Sequence, residues 1–183
     1  MNIAGSRGPQ GDGPHRDNLT PDTFDLIVRS VRQIIDAVHP TRTFYTLETM
    51  PWAFPDSPDS YLALIHAIDR KSFAVHLDAV NLINSPSRYF DNAALIGECF
   101  AKLGPFIKSC HAKDITLAGR LTVHLDEARV GLGGMDHRAF LTAASKLQPN
   151  LPIMLEHLPS QQDYAAAAEH LNQVATEIGM RFL

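Results

Sequence analysis

Four residues with the donor chemistry of metal ligands recur at corresponding places in the chain. Glu48, Asp78, His111 and Glu156 each close a short, apolar, β-prone run: Phe44-Tyr-Thr-Leu-Glu48, Phe73-Ala-Val-His-Leu-Asp78, Phe106-Ile-Lys-Ser-Cys-His111 and Leu151-Pro-Ile-Met-Leu-Glu156. Their separations are 30, 33 and 45 residues. The first two suit one strand-plus-helix unit each, and the third accommodates an additional long loop. Three carboxylates and one imidazole make a donor set for one divalent ion of hard or borderline character, which favours Mn²⁺ or Mg²⁺ and, through the imidazole, also allows Co²⁺ or Zn²⁺. The set contains no thiolate, which argues against a closed structural zinc site. An ion with coordination left open acts as a Lewis acid on carbonyl and hydroxyl oxygens. A carboxylate beside it can move a proton to or from a neighbouring carbon. Glu48 and Glu156 are the candidate acid/base pair.

Such a set works only if the elements bring it together. Thr20-Pro21 reads as an N-cap followed by proline in the first helical turn, and Phe24, Ile27, Val28, Val31, Ile34, Ile35 and Val38 continue at helical spacing. Ser57-Pro58 repeats the signal before Tyr61, Leu64, Ile65 and Ile68. A third helix begins near Ser85-Pro86 or a few residues later, with Leu95, Cys99, Phe100 and Leu103 on its apolar stripe. A fourth is predicted over 136–147, and Ser160 caps a last one. Strands alternating with helices predict a parallel sheet of βα units. Its C-terminal strand ends share one face, where the four residues would converge. The segment 112–135 is long for a βα connection; its Leu121-Thr-Val-His-Leu125 run predicts a small strand or hairpin over the sheet, and Gly131-Leu-Gly-Gly134 a tight turn.

Further candidates surround the four. His76, two residues before Asp78, shares its face and reads as a core histidine or a neighbour of the ion. Lys113 is placed to hold a substrate oxygen or phosphate, and Arg129 to clamp an anionic group in two-pronged fashion. Asn81 can donate to a hydroxyl, Trp52 can stack on a ligand face, close a lid or simply pack, and His157 points away from Glu156 or into a loop.

Composition removes other classes. The chain has 183 residues, enough for one domain, and its net charge of −4 offers no basic footprint for nucleic acid. No apolar run approaches the roughly 20 residues that span a bilayer. Residues Met1 to Gln10 lack a secretory signal pattern. Cys99 and Cys110 form no framework, so a cytoplasmic protein with reduced thiols is expected. Gly5-Ser-Arg-Gly8 with Gly11 and Gly13 lacks the Lys-Ser/Thr ending of a phosphate loop.

LETMP around Glu48, VHLDAVN around Asp78, SCHAKD around His111, GLGGMDH after the long loop and MLEH around Glu156 resemble, in order and spacing, the xylose isomerase-like TIM-barrel superfamily of sugar and sugar-phosphate isomerases and epimerases. The resemblance implies an α/β chain forming part of a (β/α)₈ barrel. It implies about five βα units, strands four to eight, in a single domain over 1–183 that lacks the first three units. Asn2-Ile3-Ala4-Gly5-Ser6 would be the tail of the fourth barrel strand. It also implies one divalent ion, Mn²⁺ first, on Glu48, Asp78, His111 and Glu156. Proton transfer would run between the two glutamates and a small carbohydrate through a metal-bound ene-diolate. Family epimerases often carry Asp-x-x-His where this chain has Asp78-Ala-Val-Asn81; asparagine is no protonatable donor, which weighs against ketohexose epimerisation. A lyase or dehydratase using the same proton abstraction, an endonuclease-like hydrolase with a trinuclear zinc cluster, and a non-catalytic barrel remnant are the alternatives. A homo-oligomer covering the open barrel is one way of closing it.

Overall fold

Helix starts in this chain are set by side chains that take up orphan N–H groups of the first turn. In the computed structural model, which describes residues 13–182, Thr20 accepts from Thr23 N at the start of α1 (Pro21–Val38). Ser57 and Ser60 form a reciprocal capping box on α2 (Pro58–Ile68). Ser85 opens the short α3 (Pro86–Phe90), which is followed by α4 (Asn92–Leu103). Asp136 caps α5 (His137–Ala144), and Ser160 caps α6 (Gln161–Glu177).

Between these helices run β1 (Tyr45–Glu48), β2 (Phe73–Leu77), β3 (Ile107–Ala112) and β6 (Ile153–Leu155), a parallel sheet in the order β1-β2-β3-β6. Pairing brings Glu48 beside His76, and His111 beside Met154. β4 (Asp114–Ala118) and β5 (His124–Ala128) form a separate antiparallel ribbon. β2 is buried at every position, as expected of a strand covered on both faces. Ile27, Val31 and Ile35 of α1, Leu64 and Ile68 of α2, Ile96, Cys99 and Leu103 of α4 and Phe140 of α5 join Val75 and Leu77 in one core cluster. The architecture is α/β with four parallel strands, consistent with part of a TIM barrel. Among the described residues no helix is long and apolar enough to cross a membrane.

One expectation needs correction. The third helix is two helices, because Asp91 leaves helical geometry at φ −122°, ψ 43°. The hairpin expected around Leu121–Leu125 is present as the β4–β5 ribbon: β5 begins at His124, and Leu121–Val123 form its tip, with Leu121 99% exposed. Of the five strands expected in the sheet, four are present within the described residues; Asn2–Ser6, where the other was expected, and the glycine-rich Gly5–Gly8 fall outside them.

Tyr61 joins the first two strands through its hydroxyl. That group receives Leu47 N–H at 3.1 Å and reaches the carbonyls of Leu47 and of Ala74, the latter at 2.9 Å, from a fully buried position. Burial pushes its pKa up, so the proton stays available to donate. Tyr61→Phe is expected to cost about 1–3 kcal/mol, because buried backbone groups on adjoining strands lose their partner. Urea unfolding measures this; a midpoint equal to wild type at equal slope would contradict it.

Candidate metal centre

Each donor comes from its own strand. Glu48 is the last residue of β1, Asp78 follows β2, His111 lies near the end of β3, and Glu156 follows β6. Parallel pairing aligns these C-terminal ends. The result is a cluster in which one ligand atom from each of Glu48, Asp78, His111 and Glu156 lies within 4.8 Å of every other. His111 Nδ1 is 3.2 Å from Glu48 Oε1, 3.4 Å from Asp78 Oδ2 and 2.9 Å from Glu156 Oε1.

Hydrogen bonds orient these donors. Asp78 is fully buried; its Oδ1 accepts from Val80 N at 3.0 Å and Asn81 N at 3.2 Å, which leaves Oδ2 for the cluster. Thr49 Oγ1 donates to Asp78 O at 2.6 Å and receives Asp78 N–H at 2.9 Å, tying the ends of β1 and β2 together. Asn81 Nδ2 donates to Glu48 Oε1 at 3.1 Å and to Thr49 O at 3.1 Å. Such outer contacts fix the direction in which a ligand atom is presented.

Electrostatics favour an ionised Asp78. Burial alone would raise the Asp78 carboxyl, but the His111 ring 3.4 Å away and the Lys113 charge outweigh it and hold it below the usual carboxylate range. Burial pulls His111 down, while Asp78, Glu48 and Glu156 push it up to about 9. His76 moves the other way: burial, then the charge of His111, lower it. Its ring meets that of His111 edge-on at 4.1 Å between centroids, and its Nδ1 is 2.6 Å from Ser109 Oγ. His76 also forms a triplet of donors with Glu48 and His111. Among the described residues the triplet and the foursome share Glu48 and His111 and so mark one centre.

The donor set fits a divalent ion. Asp78 Oδ2 and Glu156 Oε1 are buried and accept no well-directed hydrogen bond. Lys113 Nζ stands 2.9 and 2.5 Å from them as a close ionic contact. Two buried anionic oxygens without aligned donors, beside a carboxylate and an imidazole, form a set of oxygen and nitrogen ligands suited to a hard or borderline cation.

The remaining candidates separate. Asn81, His76 and Lys113 are drawn into the cluster. Arg129 is not in contact with it: its Nη1 donates to Val130 O, and its Nε stands 3.8 Å from Asp163. Arg129 lines a cleft of about 440 Å³ with Glu127, His157 and Asp163. Trp52 is 39% exposed in the connection from β1 to α2. His157, in the left-handed region at φ 57°, turns back toward the centre, with Nε2 3.6 Å from Glu156 Oε2 and Nδ1 3.1 Å from Glu127 Oε2. Glu127 escaped notice in the sequence; its only signal was its place on the connection that follows the third donor.

Comparison with known proteins follows the same geometry. The sequence matches the family described as xylose isomerase-like TIM barrel over residues 1–174. A xylose isomerase domain protein from Planctomyces limnophilus superposes with a TM-score of 0.66 at 24% identity, covering 87% of this chain and 54% of its own. A xylose isomerase-like TIM barrel protein from Mycobacterium smegmatis, in complex with magnesium, gives 0.64 at 21% identity over 85% and 50%. A D-tagatose 3-epimerase-like protein gives 0.70 at 18% identity over 92% and 61%. The chain thus spans about half the length of the first two structures and somewhat more of the third. No curated protein gives a significant match. Matched along nearly all of its sequence, and built on parallel strands whose ends gather four metal-type donors, the chain belongs to the xylose isomerase-like TIM barrel family.

Proposed function

We propose that the chain carries the ion-binding and proton-transfer machinery of a sugar or sugar-phosphate isomerase or epimerase. One observation supports this above the others: three carboxylate oxygens and one imidazole nitrogen, drawn from four neighbouring strand ends, lie within 4.8 Å of one another. Glu48, Asp78, His111 and Glu156 would hold one divalent ion, Mn²⁺ first, with Mg²⁺, Co²⁺ or Zn²⁺ also suited to the donors. When bound, the ion supplies Lewis-acid polarisation of a substrate carbonyl or hydroxyl.

The residues of the chain do the rest. Glu48 ends β1 and Glu156 follows β6, the two outer strands of the sheet, and each brings a carboxylate oxygen to the centre. One takes the proton from the carbon next to the carbonyl, and an ene-diolate forms. The other returns a proton to the opposite face of the same carbon, or to the adjacent carbon while the hydroxyl proton passes between the two oxygens so that the carbonyl changes place. Asn81 holds Glu48 Oε1 in position through its amide. The cleft lined by Glu127, Arg129 and His157 adjoins Glu156 and offers room for a small polyol.

The test is solvent exchange. Chelator-treated chain, incubated in deuterium oxide with a panel of ketoses and their phosphates, should incorporate deuterium beside the carbonyl only after Mn²⁺ is restored. Absence of exchange across the panel, in chain shown to have taken up Mn²⁺, would defeat the isomerase reading and leave the ion site standing.

A further inference from the structure

Lys113 is a buried ammonium set among carboxylates. Its side chain is 2% exposed, and Nζ lies 2.5 Å from Glu156 Oε1, 2.9 Å from Asp78 Oδ2 and 3.9 Å from Glu48 Oε1. We propose that Lys113 is the resident counter-ion of this cluster, that it competes with a divalent ion for Asp78 Oδ2 and Glu156 Oε1, and that its ammonium passes to Glu127 when the ion binds. This rests on the reading of the four residues as an ion site.

The competition follows from shared atoms. The two oxygens that Lys113 approaches most closely are the same two buried oxygens that lack an aligned hydrogen bond and belong to the foursome of donors. A dication would add a repulsive neighbour to the ammonium and withdraw the negative charge that now stabilises it. A buried lysine stripped of its counter-ion is costly, so the displaced group needs another anion.

Glu127 supplies one. Its Oε2 lies 3.8 Å from Lys113 Nζ, it is outside the set of four donors, and at 37% side-chain exposure it keeps contact with water. The lysine stem is long and flexible, so the transfer needs side-chain rotation alone. The backbone stays in place, since His137 Nε2 meets Lys113 O at 3.1 Å and the next residue, Asp114, is pinned by four backbone N–H groups.

A double-mutant cycle on Mn²⁺ affinity tests the transfer. Chelator-treated wild type, Lys113→Met, Glu127→Gln and the double variant are titrated with Mn²⁺. Free ion is followed by electron paramagnetic resonance, and folding by circular dichroism. Lys113→Met should bind Mn²⁺ at least about tenfold more tightly, because the competing charge is gone. Glu127→Gln should bind about threefold more weakly in the wild-type background and show little further change when Lys113 is methionine. Equal or weaker binding by folded Lys113→Met overturns the proposal. So does a Glu127→Gln effect of the same size in both backgrounds, which would mean that Glu127 acts on the ion directly. Should Lys113→Met not fold, Lys113→Gln takes its place. Glu127→Gln remains an independent arm, and an unchanged affinity there also overturns the proposal. Uptake of Mn²⁺ by Lys113→Met alone supports it. Failure of every protein, wild type included, to take up Mn²⁺ would instead defeat the ion site itself, and the competition with it.

Discussion

Asp78→Asn is expected to erase the thermal stabilisation that Mn²⁺ gives the wild-type chain. A ligand at about 100 times its dissociation constant adds about 2.7 kcal/mol to the folded state. For a chain of this size that amounts to a rise in melting temperature of roughly 5–10 °C. Asp78 is the donor least able to be replaced: it is fully buried, two backbone N–H groups hold its Oδ1, and Oδ2 is left for the centre. Asparagine can keep the bonds to Val80 and Asn81 through its carbonyl oxygen. It then turns an NH₂ group toward Lys113 and His111, where a carboxylate oxygen stood 2.9 and 3.4 Å away. The substitution therefore removes one ligand and one negative charge while preserving the turn after β2. An affinity loss of at least about 100-fold is expected, which reduces the Mn²⁺-induced shift to about 1 °C. Differential scanning fluorimetry with and without Mn²⁺ reads this out. A full wild-type shift in Asp78→Asn would place the ion elsewhere.

The second large effect lies outside the centre, at Asp114→Ala. The Asp114 carboxylate is 1% exposed and accepts four backbone N–H bonds, all at 2.9 Å: Oδ1 from Ile115 and Met135, Oδ2 from Gly131 and Gly133. Alanine would leave all four donors without that acceptor. Each buried donor left unpaired costs about 1–3 kcal/mol. Rewetting of the exposed glycine loop recovers part of this, and a net loss of roughly 4–6 kcal/mol is expected, a large fraction of an ordinary domain's stability. Asp114→Asn should fall in between, because one of its two terminal atoms still accepts while the other becomes a donor. Gly133→Ala should be damaging for the complementary reason: a Cβ there would meet Asp114 Oδ1 at 2.3 Å and Ile115 O at 2.4 Å. Urea or thermal unfolding orders the series as Ala below Asn below wild type. A wild-type midpoint for Asp114→Ala would show that the loop holds without its acceptor.

The two substitutions act on neighbouring parts of one device. Lys113 brings its ammonium to the carboxylates, and the next residue, Asp114, anchors the loop through Gly131–Met135 that leads into α5. Loss of the anchor is expected to disturb Lys113 as well, since the His137 ring that meets Lys113 O begins that helix.

The parallel sheet and the four convergent donors were legible in the sequence because short-range rules govern both. Capping residues and prolines mark Thr20, Ser57, Ser85 and Ser160 as helix starts, and the structure uses each of them. Apolar runs of strand length between those helices leave only parallel pairing, and parallel pairing aligns the strand ends that carry Glu48, Asp78, His111 and Glu156. Tertiary structure alone decided the partners of Asp114 on the glycine-rich loop, the seat of Lys113 inside the carboxylate cluster, and the approach of Glu127 and His157 to that cluster from the ribbon and the β6 end. These positions depend on how the ribbon, the glycine-rich loop after it and the turn after β6 fold over the sheet. Irregular backbone has no hydrophobic period to specify its pairing, so it settles where its N–H groups and charges find acceptors.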